Sequence, residues 1–211
     1  MSHAAGTQNT GAQKVGADAA ALAALSSGPI ADLPDPAAVT SSELAFHGKV
    51  WDIRRDAFAF GGHEVVREFV DHPGAVAVLA MDAEGRVLLI NQYRHPIGER
   101  EWELPAGLLD IPGEPPLQAA QRELAEEADL AASDWAELLT FHTSPGGSNE
   151  VLHVFVAEGL SATPTFERTE EEAGILVRWA PLQEVVDAVL AGRLRNSILI
   201  VAVLAAHARR R

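Results

Sequence analysis

The sequence predicts a mixed α/β protein: a mixed sheet covered by helices, preceded by a small antiparallel β element. Three observations carry this. Short aliphatic, β-branched runs such as 75–81 and 87–93 lie between turn signals, as strands do. Other segments read instead as helices, and in one of them Leu117, Ala120, Leu124 and Ala128 form an apolar stripe at helical spacing. Strand runs are interspersed with few helices, which favours a mixed sheet packed under helices. At 211 residues the chain is long enough to bury a real core.

In chain order, residues 1–42 are rich in Ala, Gly, Ser and Thr, carry prolines at 29, 34 and 36, and hold no aromatic residue. They read as a disordered tail, with a brief helix over 19–25 that Asp18 would cap. The character changes at Glu43. Residues 49–59 read as a strand, Gly61-Gly62 as a turn, and 63–71 as the returning strand. The segment 43–72 is thus a small antiparallel β subdomain ahead of a main domain over 73–211. There, 75–81 reads as a buried strand, 82–85 as a turn, 87–93 as a strand, and 102–104 as a short strand leading into a turn at Gly107. A helix with Pro115 and Pro116 in its first turn follows. Strands over 135–143 and 152–158 flank the loop Ser144-Pro145-Gly146-Gly147-Ser148-Asn149. An acidic connection over 161–174, a last strand over 175–180, and helices over 182–191 and 197–208 complete the chain, with Asn196 or Ser197 as N-cap of the last. There is no internal repeat.

Bulk properties narrow the function. A formal net charge of −14 disfavours nonspecific binding to nucleic acid or an anionic membrane. The absence of cysteine excludes disulfides, zinc-thiolate sites and thiol catalysis. No stretch has the form of a signal peptide, and the longest apolar run, 198–206, is too short to span a bilayer. These features point to the cytoplasm.

The chemistry concentrates in 107–130. Glu123 and Glu127 are four residues apart and share a helix face; Glu126 borders it. Three carboxylates near a helix C-terminus repel one another and oppose the helix dipole unless a cation resides there. Oxygen ligands of this kind suit Mg²⁺ or Mn²⁺. A solvated acidic face is the bland reading of such a helix; the upstream Gly turn and adjacent Arg122 weigh against it.

This stretch resembles the signature of the Nudix hydrolases, Gly-x5-Glu-x7-Arg-Glu-U-x-Glu-Glu-x-Gly-U with U aliphatic. Gly107, Glu114, Arg122, Glu123, Leu124, Glu126, Glu127 and Leu130 match. Two positions depart: six residues separate Gly107 from Glu114, and Asp129 replaces the last Gly. The first is a loop insertion. The second falls where the helix ends and a left-handed residue is expected, a conformation Asp tolerates. Pro145, fifteen residues past Leu130, together with Gln92-Tyr93-Arg94 and Trp102-Glu103-Leu104-Pro105-Ala106-Gly107, resembles the bacterial ADP-ribose pyrophosphatase branch over residues 44–208.

The resemblance implies an α/β/α sandwich and Mg²⁺-dependent hydrolysis of ADP-ribose by a homodimer that exchanges its N-terminal hairpins. It implies Glu123, Glu126, Glu127 and the Ala106 carbonyl as metal ligands and Glu150 as the base that deprotonates water. Arg122 would orient Glu126 from one turn away, while Glu114 is mainly structural. Arg94 is either a diphosphate contact or a strand-end ion pair. Arg67 and Glu68 would meet adenine. Trp51 would stack on it from the neighbouring subunit, or else be a core tryptophan. The run Glu170-Glu171-Glu172 reads as mostly solvated, and His95, His142 and His153 as structural. The motif reads only metal and diphosphate. Nucleotide sugars and dinucleoside polyphosphates therefore remain alternative substrates, and a non-catalytic ADP-ribose sensor an alternative class.

Overall fold

The computed structural model describes residues 28–166 and 174–210. The helix expected over 19–25 and the Glu170–Glu172 run lie outside the described residues. The chain divides into two units, Met1–Val70 and Asp71–Arg211.

In the first unit, β1 (Ala38–Phe46), β2 (Asp52–Phe60) and β3 (His63–Asp71) form a three-stranded sheet in that order. Gly61 and Gly62 have φ of 60° and 83°, the pair of left-handed residues that a tight type I′ hairpin turn demands. The sequence placed 38–42 in the tail, yet they begin β1. The stretch AVTSSELAF has little strand character of its own and is held by antiparallel pairing with β2, from Ala38↔Ala59 to Phe46↔Ile53. Arg55 crosses the sheet to Glu43 and Glu68. Val39, Leu44, Phe46, Phe60 and Val66 are exposed.

The second unit holds two sheets. One has the order β10 (Leu176–Pro181), β5 (Arg86–Arg94), β6 (Glu99–Glu103). The other has the order β7 (Ala106–Leu108), β4 (Ala75–Ala80), β9 (Val151–Ala162), β8 (Leu130–His142). β4 and β9 run parallel, and the other pairs are antiparallel. Every residue of β4 is buried because both sheet faces are covered. Val76, Val78 and Ala80 pack with Ala119, Ala120 and Leu124 of α1 (Pro116–Ala128). Ala75, Ala77 and Leu79 pack on the other side. There they meet Val185 and Val186 of α2 (Leu182–Leu190) and Leu199, Ala202 and Val203 of α3 (Ser197–Arg209). Helix, sheet and helices thus form three layers, an α/β/α sandwich with a mixed sheet. Each fully buried aliphatic side chain in it contributes about 2 kcal/mol.

Most element ends match expectation within a residue or two. β8 and β9 are longer. Ala131 and Ala132 are drawn into β8 by Ser161 and Leu160, across a bend where Gly159 takes φ 66° and any Cβ would collide with Ser133 Oγ. Asn196 caps α3, its side chain accepting the Leu199 N–H.

Candidate active site

Helix α1 positions the carboxylates. Pro115 is its N-cap and Pro116 its first residue, where a missing N–H leaves no helical bond unmade. Ala119, Ala120 and Leu124 anchor one face in the core, which turns Glu123 and Glu127 toward β7. Glu123 lies directly on the β7 backbone. A Cβ built at Gly107 would stand 2.0 Å from its Cδ and Oε1. Gly107 has no positive φ, so glycine is needed here for close approach rather than for backbone freedom. Glu127, 5% exposed, accepts the Ala106 N–H at Oε2 over 2.8 Å. Two carboxylates four residues apart therefore face consecutive residues of one strand.

Arg122 ties this group together. Its Nε and Nη2 donate to Oε1 and Oε2 of Glu114 at 3.1 and 3.0 Å. Its Nη1 donates to Glu123 Oε1 at 2.5 Å and to Glu126 Oε2 at 3.2 Å. The Glu126 contact is the one helical spacing predicts; those to Glu114 and Glu123 are additional. Hydrogen bonding to Glu114, foremost, raises the Arg122 pKa above its ordinary value. The same guanidinium holds Glu114 below the ordinary carboxylate value.

Among the described residues no group of three or more His, Asp or Glu side chains is arranged to hold a metal ion. Arg122 engages Glu123 and Glu126, while Ala106 N–H engages Glu127. The donor chemistry nevertheless fits a hard divalent cation. The donors are all oxygen: the carboxylates of Glu114, Glu123 and Glu126 share a single guanidinium, and the Glu127 carboxylate on the same helix adds to the surplus of negative charge.

Glu150 stands at the start of β9. Thr143 Oγ1 donates to its Oε2, and His72 Nε2 lies 3.5 Å from its Oε1. Arg94, at the end of β5, donates from Nε and Nη2 to Glu103 Oε1 and Oε2 at 2.9 and 2.7 Å. Gln92 adds a longer bond to the same carboxylate, whose side chain is 4% exposed. Here Arg94 forms the ion-pair alternative of its sequence reading. Of the remaining residues, Glu68 bonds Arg55 and Arg67 donates to the Val66 carbonyl. Trp51 is 38% exposed rather than a core side chain. These three belong to the first unit.

Asp129 has φ 55° and closes α1 in the left-handed conformation expected from sequence. Its Oδ1 also accepts the Phe166 N–H at 2.8 Å, a bond that glycine could not make. Pro145 opens a tight turn in which the Gly147 and Ser148 N–H groups both donate to the Ser144 carbonyl. His142 Nδ1 meets the Glu150 carbonyl and His153 Nδ1 meets Thr140 Oγ1, structural contacts in both cases. Sequence reasoning missed His72, Thr143 and Glu103 as neighbours of these groups. Their only signal was position beside a strand end.

A glycine that admits a helix carboxylate onto a strand, an arginine gathering the carboxylates, and an α/β/α sandwich define the class. Residues 71–199 match the family model of the NUDIX domain, and the chain belongs to the Nudix hydrolase family. It is 47% identical over 169 residues to an ADP-ribose pyrophosphatase of Mycobacterium tuberculosis, covering 80% of this chain and 82% of that protein. It is 39% identical to an ADP-ribose pyrophosphatase of Bacillus subtilis, covering 68% and 78%. It is 34% identical to a methanol dehydrogenase activator of Bacillus methanolicus, covering 77% and 88%. A solved structure of an ADP compounds hydrolase shares the fold with a TM-score of 0.70 at 21% identity, over 84% of this chain and 95% of its own.

Proposed function

We propose that this protein is a Mg²⁺-dependent pyrophosphatase, with Mn²⁺ an alternative ion, that hydrolyses ADP-ribose to AMP and ribose 5-phosphate. The observation that carries it is the setting of Glu123 and Glu127 against Gly107 and Ala106, with Arg122 orienting the group. The likeness to ADP-ribose pyrophosphatases over most of the chain supports the substrate.

Glu123, Glu126, Glu127 and the Ala106 carbonyl would hold the cation, which would supply neutralisation of the diphosphate charge and a more acidic water. Glu150 accepts the proton of the attacking water as general base. A P–O bond forms from that water while the bridging P–O bond breaks. Arg94, fixed by Glu103, contacts the diphosphate through a guanidinium suited to phosphate oxygens. Trp51, Arg67 and Glu68 select the adenosine end.

The exposed apolar residues of the first unit favour a homodimer that exchanges its N-terminal sheets and supplies Trp51 to the neighbouring site. Light scattering at micromolar concentration would read a dimer; a monomer would refute both the exchange and the Trp51 assignment. The proposed compartment is the cytoplasm, with neither nucleic acid nor membrane as partner. Among the described residues no helix is long and apolar enough to cross a bilayer.

The test is kcat/KM with Mg²⁺ for ADP-ribose, a nucleotide sugar, diadenosine polyphosphates and an oxidised deoxynucleoside triphosphate. Preference for ADP-ribose with AMP as product supports the reading. Preference for another substrate keeps the hydrolase and discards the adenine contacts. Binding of ADP-ribose without turnover points to a sensor.

A further inference from the structure

We infer that His72 is a positioning residue that holds the Glu150 carboxylate in place as a fixed Nε2–H donor. The inference rests on the reading of Glu150 as general base. His72 lies three residues before the start of β4, and Glu150 immediately precedes β9. Those strands are parallel and in register from Ala75↔Leu152, so their starting ends lie side by side.

The imidazole is sequestered, its side chain 7% exposed against 18% for Glu150. The Gly74 N–H donates to His72 Nδ1 at 3.0 Å. A ring nitrogen that accepts a hydrogen bond carries no proton, so the neutral ring carries its proton on Nε2. That nitrogen is the one 3.5 Å from Glu150 Oε1. Thr143 Oγ1 serves the other oxygen. Each carboxylate oxygen therefore faces its own donor, from a different strand end.

The segment that carries His72 is itself clamped to the segment that carries Glu150. The His72 N–H donates to Asn149 Oδ1 at 2.7 Å, and Asn149 Nδ2 donates to Asp71 Oδ1 at 3.0 Å. A base must stand within hydrogen-bond reach of the water it deprotonates, and a displacement of about 1 Å costs on the order of a hundredfold in rate. Donors to both oxygens restrict that displacement.

Two substitutions separate this role from a structural one. Gln places an amide near the former Nε2 and keeps a donor for Glu150, but leaves the Gly74 N–H without its acceptor. Asn places its oxygen near the former Nδ1 and keeps the Gly74 contact, but falls short of Glu150. The experiment measures kcat and KM for ADP-ribose with Mg²⁺ in wild type, His72→Gln, His72→Asn, Glu150→Gln and the double variant His72→Asn with Glu150→Gln, with thermal melts of each. Positioning predicts a kcat loss of about ten- to a hundredfold for His72→Asn at unchanged KM. His72→Gln retains kcat within about threefold, and His72→Asn adds nothing in the Glu150→Gln background. A purely structural histidine gives the opposite order, with Asn tolerated and Gln destabilised, and that result overturns the inference. Equal loss in both single variants, or a full additional loss in the double variant, also overturns it.

Wild-type turnover by Glu150→Gln would refute the base reading itself. A slow Glu150→Gln beside a normal His72→Asn refutes only the positioning role. Nitrogen NMR of the His72 ring in the unaltered protein is independent of folding in any variant. It reads the proton on Nε2 if the inference holds, and on Nδ1 if it does not.

Discussion

Gly107→Ala isolates the approach of α1 to β7 from every other role of that glycine. The added Cβ would stand 2.0 Å from Glu123 Cδ and Oε1 and 2.5 Å from Oε2, all inside van der Waals contact. Gly107 is not among the residues with positive φ, so alanine brings no backbone strain. The clash meets the far end of a flexible side chain. Glu123 swings away, and overpacking costs about 1–3 kcal/mol. The functional cost is of similar size, since a hundredfold loss in rate is about 2.7 kcal/mol. Glu123 must move by more than an ångström, enough to lose its bond to Arg122 Nη1, and a ligand misplaced on that scale lowers turnover on the order of a hundredfold. The assay pairs Mg²⁺ titrations of kcat for ADP-ribose hydrolysis with urea unfolding. The expected outcome is a large kcat loss and a weaker apparent Mg²⁺ affinity in a protein that still unfolds cooperatively. Wild-type kcat and Mg²⁺ dependence would refute the placement of Glu123 against β7.

Glu127→Gln keeps an acceptor for the Ala106 N–H but removes the charge, so the fold persists while kcat falls about a hundredfold or more; steady-state kinetics with Mg²⁺ check it. Arg122→Met removes the cation that depresses the Glu114 pKa. A depressed carboxylate stabilises the fold above its unfolded value of 4.5, and that contribution is lost as pH falls through the folded value. Urea melts from pH 7 downward should show the gap between wild type and variant narrowing below 4.5; a gap that widens there would contradict the pairing. Asp129→Ala keeps a Cβ in the left-handed conformation and loses the bond to the Phe166 N–H, at a cost of about 2 kcal/mol. Asp129→Gly relieves the conformational cost and should lose less, with hydrogen exchange at Phe166 accelerated in both.

The central strands were legible because burial on both faces writes a continuous apolar run, as in β4. The helix end at Asp129 was legible because left-handed geometry admits few residue types. β1 and the near end of β8 were not. Their residues lack strand propensity, and pairing across the sheet overrides it. Carboxylate spacing along α1 could be read from the chain, but the contact of Glu123 with Gly107 depends on how the helix docks. The same limit hid the Arg94–Glu103 pair and the clamp on Glu150. In each, a distant partner decides what a polar side chain does.

The parallel pair of β4 with β9, the one such pair among the described residues, has a consequence for the order in which the protein matures. Its partners are more than seventy residues apart, and closing so long a loop is entropically slow compared with forming the antiparallel pairs between neighbouring strands. His72 and Glu150 meet only when that pair closes. The contacts within the acidic helix are local, so it can form before the distant strands pair. A folding chain can thus acquire its acidic helix before the proposed base is in place, and hydrolysis becomes a report that the centre of the sheet has closed.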